Sequence, residues 1–295
     1  MNIAKLIADR KTPFYSFEFF PPKEEDQLPA FYDRVERLQA LNPLFASVTY
    51  GAGGSRKRST VGLVTSLKKN FGFEVMSHLT CVGSSREDVD TMLGDLQEKG
   101  IYNILALRGD MPKDPTFDIS HTEFHHAIEL VQYIREKFPE FGIGVAGYPA
   151  PHPESPSFSS DWRYTVAKIR AGADFVITQL FFDVREYFNF VDRLSDMGVS
   201  IPIIPGILPV QSMASLRRTL STCGANIPGK LYLELEAAEE KGGPEAVKDA
   251  GIAYAVSQIR TLLDNGAPGI HLYTLNNAAT CLRIADAVGP LAKSK

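Results

Sequence analysis

Glu18 stands in an aromatic run, Phe14-Tyr15-Ser16-Phe17-Glu18-Phe19-Phe20, that ends at Pro21-Pro22. A carboxylate among aromatic rings loses its water, which penalises the charged form. Its pKa should rise, and it could then act as a general acid near neutral pH. A structural carboxylate paired with an Arg or Lys fits the same spacing equally well. Arg108-Gly109-Asp110 follows an apolar run. The glycine would let the backbone approach a ligand, and the aspartate could cap a helix or hydrogen-bond a polar ring, although a plain strand-to-helix turn is the simpler reading. Tyr50-Gly51-Ala52-Gly53-Gly54-Ser55 could cradle phosphates with its amides. It lacks the Lys-Ser/Thr ending of a P-loop and reads equally as a flexible loop.

Other candidates are weaker by themselves. His121 and His125 are four apart in a stretch with helical spacing, but no HExxH or third ligand accompanies them, so no metal is expected. His78, inside an apolar run, reads by default as a satisfied core histidine. Trp162 and Tyr164 follow a Pro/Ser-rich stretch and suit either core packing or a lid over a ring. Lys168 suits a surface charge or a phosphate contact. A literal GxGxxG at 142–147 lies inside a predicted strand, not at a strand-to-helix turn, so it fails as a dinucleotide fingerprint. The set holds carboxylates and no nucleophile–base pair, which points to acid/base or redox chemistry.

These residues cluster at the ends of apolar, β-rich runs at 14–20, 45–50, 74–80, 103–108, 142–148, 174–182, 202–207 and 269–274. Such near-continuous runs are what parallel strands buried on both faces require. Helical periodicity separates them, as in 26–41, where Leu28, Phe31, Val35 and Leu38 recur, and in 122–138, where Phe124, Ile128, Val131 and Ile134 do. The repeated βα order predicts an α/β fold, a (β/α)8 TIM barrel, as a single domain over 1–295. In that fold the strand ends carry the active site. The Glu-rich AAEEKGG interruption at 237–243 predicts two helices, or an excursion, before the last strand.

Composition narrows the class. The chain has 295 residues, 31 Lys+Arg, 35 Asp+Glu and a formal charge of −4, which argues against a nucleic-acid coat or a polybasic membrane patch. Three separated cysteines with no CxxC exclude a disulfide framework and suit a reducing compartment. No apolar stretch is long enough to span a bilayer, and the charged N-terminus does not read as a signal peptide, so a cytoplasmic protein is expected.

The segments SFEFFPP (16–22), SVTYGAGG (47–54), HLTC (78–81), ALRGD (106–110), YPAPHPE (148–154), ITQLFFD (177–183), PGILP (205–209) and YTLN (273–276) resemble, together and in order, the methylenetetrahydrofolate reductase family. The resemblance implies FAD bound at the strand ends and ping-pong reduction of 5,10-methylenetetrahydrofolate to 5-methyltetrahydrofolate by NADH or NADPH. It leaves the physiological direction open. It implies Glu18 as the general acid toward the folate N10, and Asp110 as the carboxylate near flavin and pterin. Thr49 and Gln179 would be contacts to nicotinamide or folate. Ser215 and Asn277 fall at folate-side positions, Asn277 where many members carry an arginine. Tyr50, Ala52, His78, Arg108, Gly109, Asp110, His125, Tyr148, His152, Asp161, Tyr164 and Lys168 would contact FAD. At its length the barrel would use the whole chain, so no appended regulatory domain is expected. Relatives are often homo-oligomers. A non-redox pterin-binding methyltransferase barrel and a non-catalytic flavin or folate binder are the alternatives, and bound flavin colour separates the first of these.

Overall fold

The apolar runs fold as parallel strands: β1 (Tyr15–Phe19), β2 (Phe45–Val48), β3 (Val75–Thr80), β4 (Asn103–Leu107), β5 (Gly142–Gly147), β6 (Phe175–Thr178), β7 (Ile203–Ile204), β8 (Gly206–Ile207) and β9 (Ile270–Tyr273). The helices are α1 (Ile3–Ala8), α2 (Leu28–Gln39), α3 (Gly54–Phe71), α4 (Arg86–Glu98), α5 (Ala127–Lys137), α6 (Phe158–Arg170), α7 (Val184–Asp196), α8 (Met213–Cys223), α9 (Gly229–Asp264) and α10 (Ala278–Val288). The computed structural model describes residues 1–49, 54–111 and 122–291, with the backbone alone over 54–59.

The strands pair in the order β7-β6-β5-β4-β3-β2-β1-β9-β8. β7 and β8 are two halves of the predicted 202–207 strand, split at Pro205, which has no N–H to donate. The first half pairs with β6 and the second with β9, so the chain itself carries the ring across its seam. The Pro205 carbonyl still accepts from His271 N at 2.9 Å. The result is the expected TIM barrel. The predicted sixth strand, 174–182, is shorter than expected. After Thr178 the chain leaves the ladder, and Asp183 turns its side chain to cap α7 through the amide of Arg185.

Alternation along the strands builds two cores. Phe17, Ala46, Val48, Val75, Leu79, Ile104, Val145 and Val176 face the helices. Phe45, Met76, Leu105, Phe175, Ile177 and Ile204 fill the barrel with Phe14 and with Ile3 and Ile7 of α1. The charged N-terminal segment is therefore a plug helix under the barrel, tied there by Ile3 N donating to Asn103 Oδ1 at 2.8 Å. The GxGxxG run is strand β5, as its context requires. Its Gly144 is small because Phe175 and Leu105 occupy the space where a Cβ would sit, 2.7 and 3.1 Å away.

α9 is two helices in succession, as the interruption at 237–243 predicted. The break is at Gly243 (φ 65°, ψ −157°), followed by Pro244. Only glycine adopts that backbone region without strain, and no atom lies within 4 Å of where a Cβ would sit. Gly243→Ala is accordingly expected to destabilise the protein by about 1–3 kcal/mol through backbone strain alone. Urea unfolding measures it, and an unchanged midpoint would mean that the kink relaxes.

The predicted helix at 122–138 begins later than its periodicity suggested. α5 starts at Ala127 with His126 as its N-cap residue, so His125 precedes the helix and is exposed. Its amide is bound by the Glu129 carboxylate at 2.7 Å. His125 is therefore not on the helix; His121, Tyr50 and Ala52 lie outside the described residues.

Candidate functional site

Glu18 points inward near the C-terminal end of β1, because the aromatic residues on either side of it, Phe17 and Phe19, take the outward positions. It is only 6% exposed. His78 reaches it from β3, with Nε2 3.4 Å from Glu18 Oε2 and without a hydrogen-bond partner for that nitrogen. Burial pushes the Glu18 carboxyl up to about 8 and the His78 imidazole down to about 3. At neutral pH the pair is a carboxylic acid beside a neutral imidazole, because neither charge has water to solvate it. Among the described residues no Arg or Lys pairs with this carboxyl.

β9 supplies the other wall. Thr274 Oγ1 donates to the Glu18 carbonyl at 2.6 Å, and Tyr273 OH donates to the Thr178 carbonyl at 2.7 Å. Burial, with Glu18 nearby, holds the Tyr273 phenol well above its ordinary range. One layer down, His271 Nδ1 lies 2.9 Å from Ser16 Oγ, and burial with His78 close by pushes that imidazole down to about 3.

These shifts set a stability profile. Between about pH 3 and 6.5 the folded state binds fewer protons than the unfolded state at His78 and His271, so stability rises with pH. Between about 4.5 and 8 it binds more at Glu18, so stability falls. Two rising groups outweigh one falling group below about pH 6.5; above it Glu18 dominates until about pH 8, where Lys168, whose pKa burial lowers to about 8, begins to act in the rising sense. Denaturant midpoints measured from pH 4 to 8.5 should peak near pH 6.5. A monotonic rise through pH 8 would contradict the assignment of Glu18.

A cationic and aromatic band lies across the loops after β4 and β5. Arg108 makes a bidentate pair with Glu154, at 2.6 and 3.0 Å, which raises the guanidinium pKa and lowers that of the carboxyl. Gly109 has φ 86°, and Thr80 stands 2.9 Å from where its Cβ would be. Asp110 is exposed beside it. Tyr148 packs edge-on against His152, with ring centroids 5.1 Å apart, and burial pushes its phenol up to about 12. Asp161 accepts from His152 N at 2.7 Å; burial raises its carboxyl. Lys168 reaches from α6 to the Ala146 carbonyl at 2.5 Å and lies 5.9 Å from the centre of the Tyr148 ring, with burial lowering its pKa to about 8. An ammonium has three donors, so this one keeps hydrogen-bonding capacity beyond that carbonyl.

A sequence profile of the family described as methylenetetrahydrofolate reductase matches residues 3–289. The chain belongs to the methylenetetrahydrofolate reductase family. It is 35% identical over 274 residues to 5,10-methylenetetrahydrofolate reductase of Pectobacterium carotovorum, covering 93% of this chain and 89% of that protein. It is 36% identical over 302 residues to methylenetetrahydrofolate reductase (NADH) 1 of Arabidopsis thaliana, covering 99% of this chain and 51% of the plant protein. Against a probable methylenetetrahydrofolate reductase (NADPH) of Caenorhabditis elegans, identity is 37%, covering 98% of this chain and 44% of the nematode protein. The chain thus spans about half the length of these plant and animal relatives. A Clostridium thermocellum protein, solved with two copies of 5-methyl-5,6,7,8-tetrahydrofolic acid, superimposes with a TM-score of 0.66 at 13% identity, covering 96% of this chain and 97% of that one. At that identity the likeness concerns the fold.

Within the reductase-family barrel, Glu18 and His78 lie in the C-terminal halves of β1 and β3, and Thr49, Arg108, Gly109, Asp110, Tyr148, His152 and Gln179 follow the C-terminal ends of their strands. Gln179 turns its Oε1 onto the amide of Leu180 at 2.9 Å, leaving its NH2 as donor. Asp161, Tyr164 and Lys168 are on α6, where Tyr164 is 63% exposed. Ser215 and Asn277 already have structural work. Ser215 closes a capping box with Ser212 at the start of α8, and Asn277 caps α10 through Thr280 N and donates to Gln211 Oε1 at 3.3 Å. Sequence reasoning missed His271, the acidic partner of Arg108 and the role of Tyr273. Period-two alternation through 269–274 would have put His271 and Tyr273 on the inward face; nothing local announces Glu154 as the partner of Arg108.

Proposed function

We propose that this protein is an FAD-dependent reductase that converts 5,10-methylenetetrahydrofolate to 5-methyltetrahydrofolate with electrons from NADH or NADPH. The observation that supports it most is Glu18, a buried carboxyl that keeps its proton at neutral pH at the C-terminal end of a barrel strand. Ring opening of the folate needs a proton at N10, and an acid with a pKa near the working pH is suited to give it.

The residues present fit FAD. Arg108 in the loop after β4 and Lys168 on α6 offer cationic donors suited to a pyrophosphate. Lys168 has donor capacity left over, and the buried Nε2 of His78 awaits a partner. Tyr148 and His152 supply aromatic surface between them. When bound there, FAD supplies the relay of a hydride from nicotinamide to folate, in a ping-pong sequence. Glu18 holds and donates the proton, and His78, neutral beside it, avoids the cation that would ionise it prematurely. Asp110, exposed at the rim, accepts hydrogen bonds from a pterin ring, and the Gln179 amide donates toward folate or nicotinamide. Thr49 follows β2, its amide fixed to the Phe19 carbonyl at 3.0 Å. Both nicotinamide cofactors appear in the names of relatives, and the proposal covers either.

Among the described residues no helix is long and apolar enough to cross a membrane, and the net charge of −4 argues against a nucleic-acid coat. The test is direct. The purified protein should bind FAD, with an absorption band near ~450 nm, should bleach on anaerobic addition of NADH or NADPH, and should recover colour on addition of methylenetetrahydrofolate. A protein that takes up no flavin would overturn the reading.

A further inference from the structure

We infer that Asn276 is a positioning residue: its side-chain amide continues the β1–β9 ladder beyond the last backbone pair and so holds the Glu18 segment in place for proton delivery. The catalytic part of this inference rests on the reading of Glu18 given above; the structural part does not.

Backbone pairing between β1 and β9 ends at Glu18 opposite Tyr273. Beyond that pair the chain after β9 turns sharply, with Asn277 N donating to the Thr274 carbonyl at 2.8 Å. The two central residues, Leu275 (φ 46°) and Asn276 (φ 55°), are both left-handed and neither is glycine. Asparagine tolerates that region, but leucine is strained in it. Leu275 is 48% exposed, so core packing does not force it there.

The turn swings the Asn276 side chain back against β1. Its Oδ1 accepts from Phe20 N at 3.0 Å, and its Nδ2 donates to the Phe20 carbonyl at 2.8 Å. One residue thus receives from and donates to the same partner, the exchange seen in a hydrogen-bonded pair of antiparallel strands, although β1 and β9 themselves run parallel. A primary carboxamide has the donor and acceptor of a peptide group, and here it takes the place of one. Phe20 is also the last residue of this segment able to donate, since Pro21 and Pro22 carry no N–H. The clamp therefore meets the final available rung. Thr274 Oγ1 joins the two levels, donating to the Glu18 carbonyl at 2.6 Å and accepting from Asn276 N at 3.0 Å. On its other flank β1 is held by ordinary pairing, Phe19 opposite Val48 with Thr49 N on the Phe19 carbonyl. Among the described residues, it is on the β9 side that the site-bearing end of β1 depends on side chains.

The groups that face the Glu18 carboxyl limit what else could move its titration. Among the described residues they are His78 from β3 and the phenol of Tyr273 from β9. Neither touches the clamp, so losing the clamp alters Glu18 through its placement and burial, not through a lost charge.

The experiment compares flavin-loaded wild type, Asn276→Gly and Asn276→Asp. Glycine keeps the left-handed turn without strain and removes both clamp bonds. Aspartate keeps the acceptor for Phe20 N and loses the donor. With the clamp gone, the folate-reducing half-reaction should fall about tenfold to a hundredfold, the scale of a misplacement of about 1 Å. Reduction of flavin by nicotinamide should stay within about twofold, since that step needs no proton from Glu18. The pH limb of the folate step should move toward the ordinary carboxyl range in both variants as water reaches Glu18. A second readout needs no cofactor. The decline in stability between about pH 6.5 and 8, measured as the difference from the matching Glu18→Gln background, should shrink when Asn276 is replaced. Wild-type folate kinetics and pH limb in both variants would overturn the inference, and so would an equal fall in both half-reactions. If the wild type itself binds no flavin, the proposed function fails while the stability comparison still decides whether Asn276 positions Glu18.

Discussion

Replacing Glu18 by glutamine is expected to slow the folate-reducing half-reaction by about a hundredfold to ten-thousandfold, the range over which a positioned general acid acts. The reduction of bound flavin by NADH or NADPH should continue at its wild-type rate. The reasoning begins with volume and charge. Glutamine has the shape of the protonated carboxyl that burial favours here, so the pocket against His78 keeps its packing. What disappears is the acidic proton, because an amide donates hydrogen bonds without giving up its hydrogen at neutral pH. The substitution should also remove the loss of stability between about pH 6.5 and 8, since the carboxyl that burial raises to about 8 is gone. Stopped-flow measurement of each half-reaction, with denaturation at pH 6.5 and 8, checks both consequences. Folate turnover at the wild-type rate would remove Glu18 from the acid role. A stability decline that persists in the variant would assign that decline to another group.

The second large effect concerns the seam of the barrel. Gly206→Ala should destabilise the fold by at least about 3 kcal/mol, at or beyond the upper end of what overpacking a close-packed site usually costs. An added Cβ would lie 2.3 Å from the Thr178 carbonyl oxygen and 2.6 Å from the Tyr273 ring. The first of these is backbone and cannot rotate away. The Gly206 amide also donates to Thr178 Oγ1 at 2.9 Å, so retreat from the clash breaks a buried hydrogen bond. Tyr273, which walls the site, holds that same Thr178 carbonyl through its phenol. Stability and the placement of the Tyr273 wall should therefore fail together. Guanidinium unfolding of the variant tests the magnitude; a loss below about 1 kcal/mol would mean that the seam gives way more easily than its geometry indicates.

Much of the architecture was legible because its determinants are local. Parallel strands buried on both faces need long apolar runs, and each predicted run contains an observed strand. The two shortfalls have local causes as well: Pro205 interrupts one run, and Asp183 begins a helix after another. The break within α9 was readable from Gly242-Gly243-Pro244, residues that disfavour a continuous helix. The first turn of α5 was misplaced because apolar periodicity extends through Phe124, which is buried in the loop ahead of the helix. The N-terminal plug was missed because six helical residues carry too few periods to be read as a structural element.

The site divides in the same way. Sequence alone determined which residues stand at strand ends, that Glu18 is surrounded by aromatics, and that no nucleophile–base pair competes for the chemistry. Those are properties of neighbours along the chain. Tertiary structure decided what each group meets: that Glu18 has neutral His78 beside it in place of a cation, and that Arg108 is bound by Glu154. It also decided that Asn276 returns across 256 residues to Phe20, that Ser215 closes the capping box of α8 and that Asn277 caps α10. A pKa depends on charges and solvent within a few ångströms, and barrel closure brings together groups that the chain separates by tens to hundreds of residues. The proton on Glu18 is therefore a property of the closed ring, while the carboxyl that carries it was visible from the start.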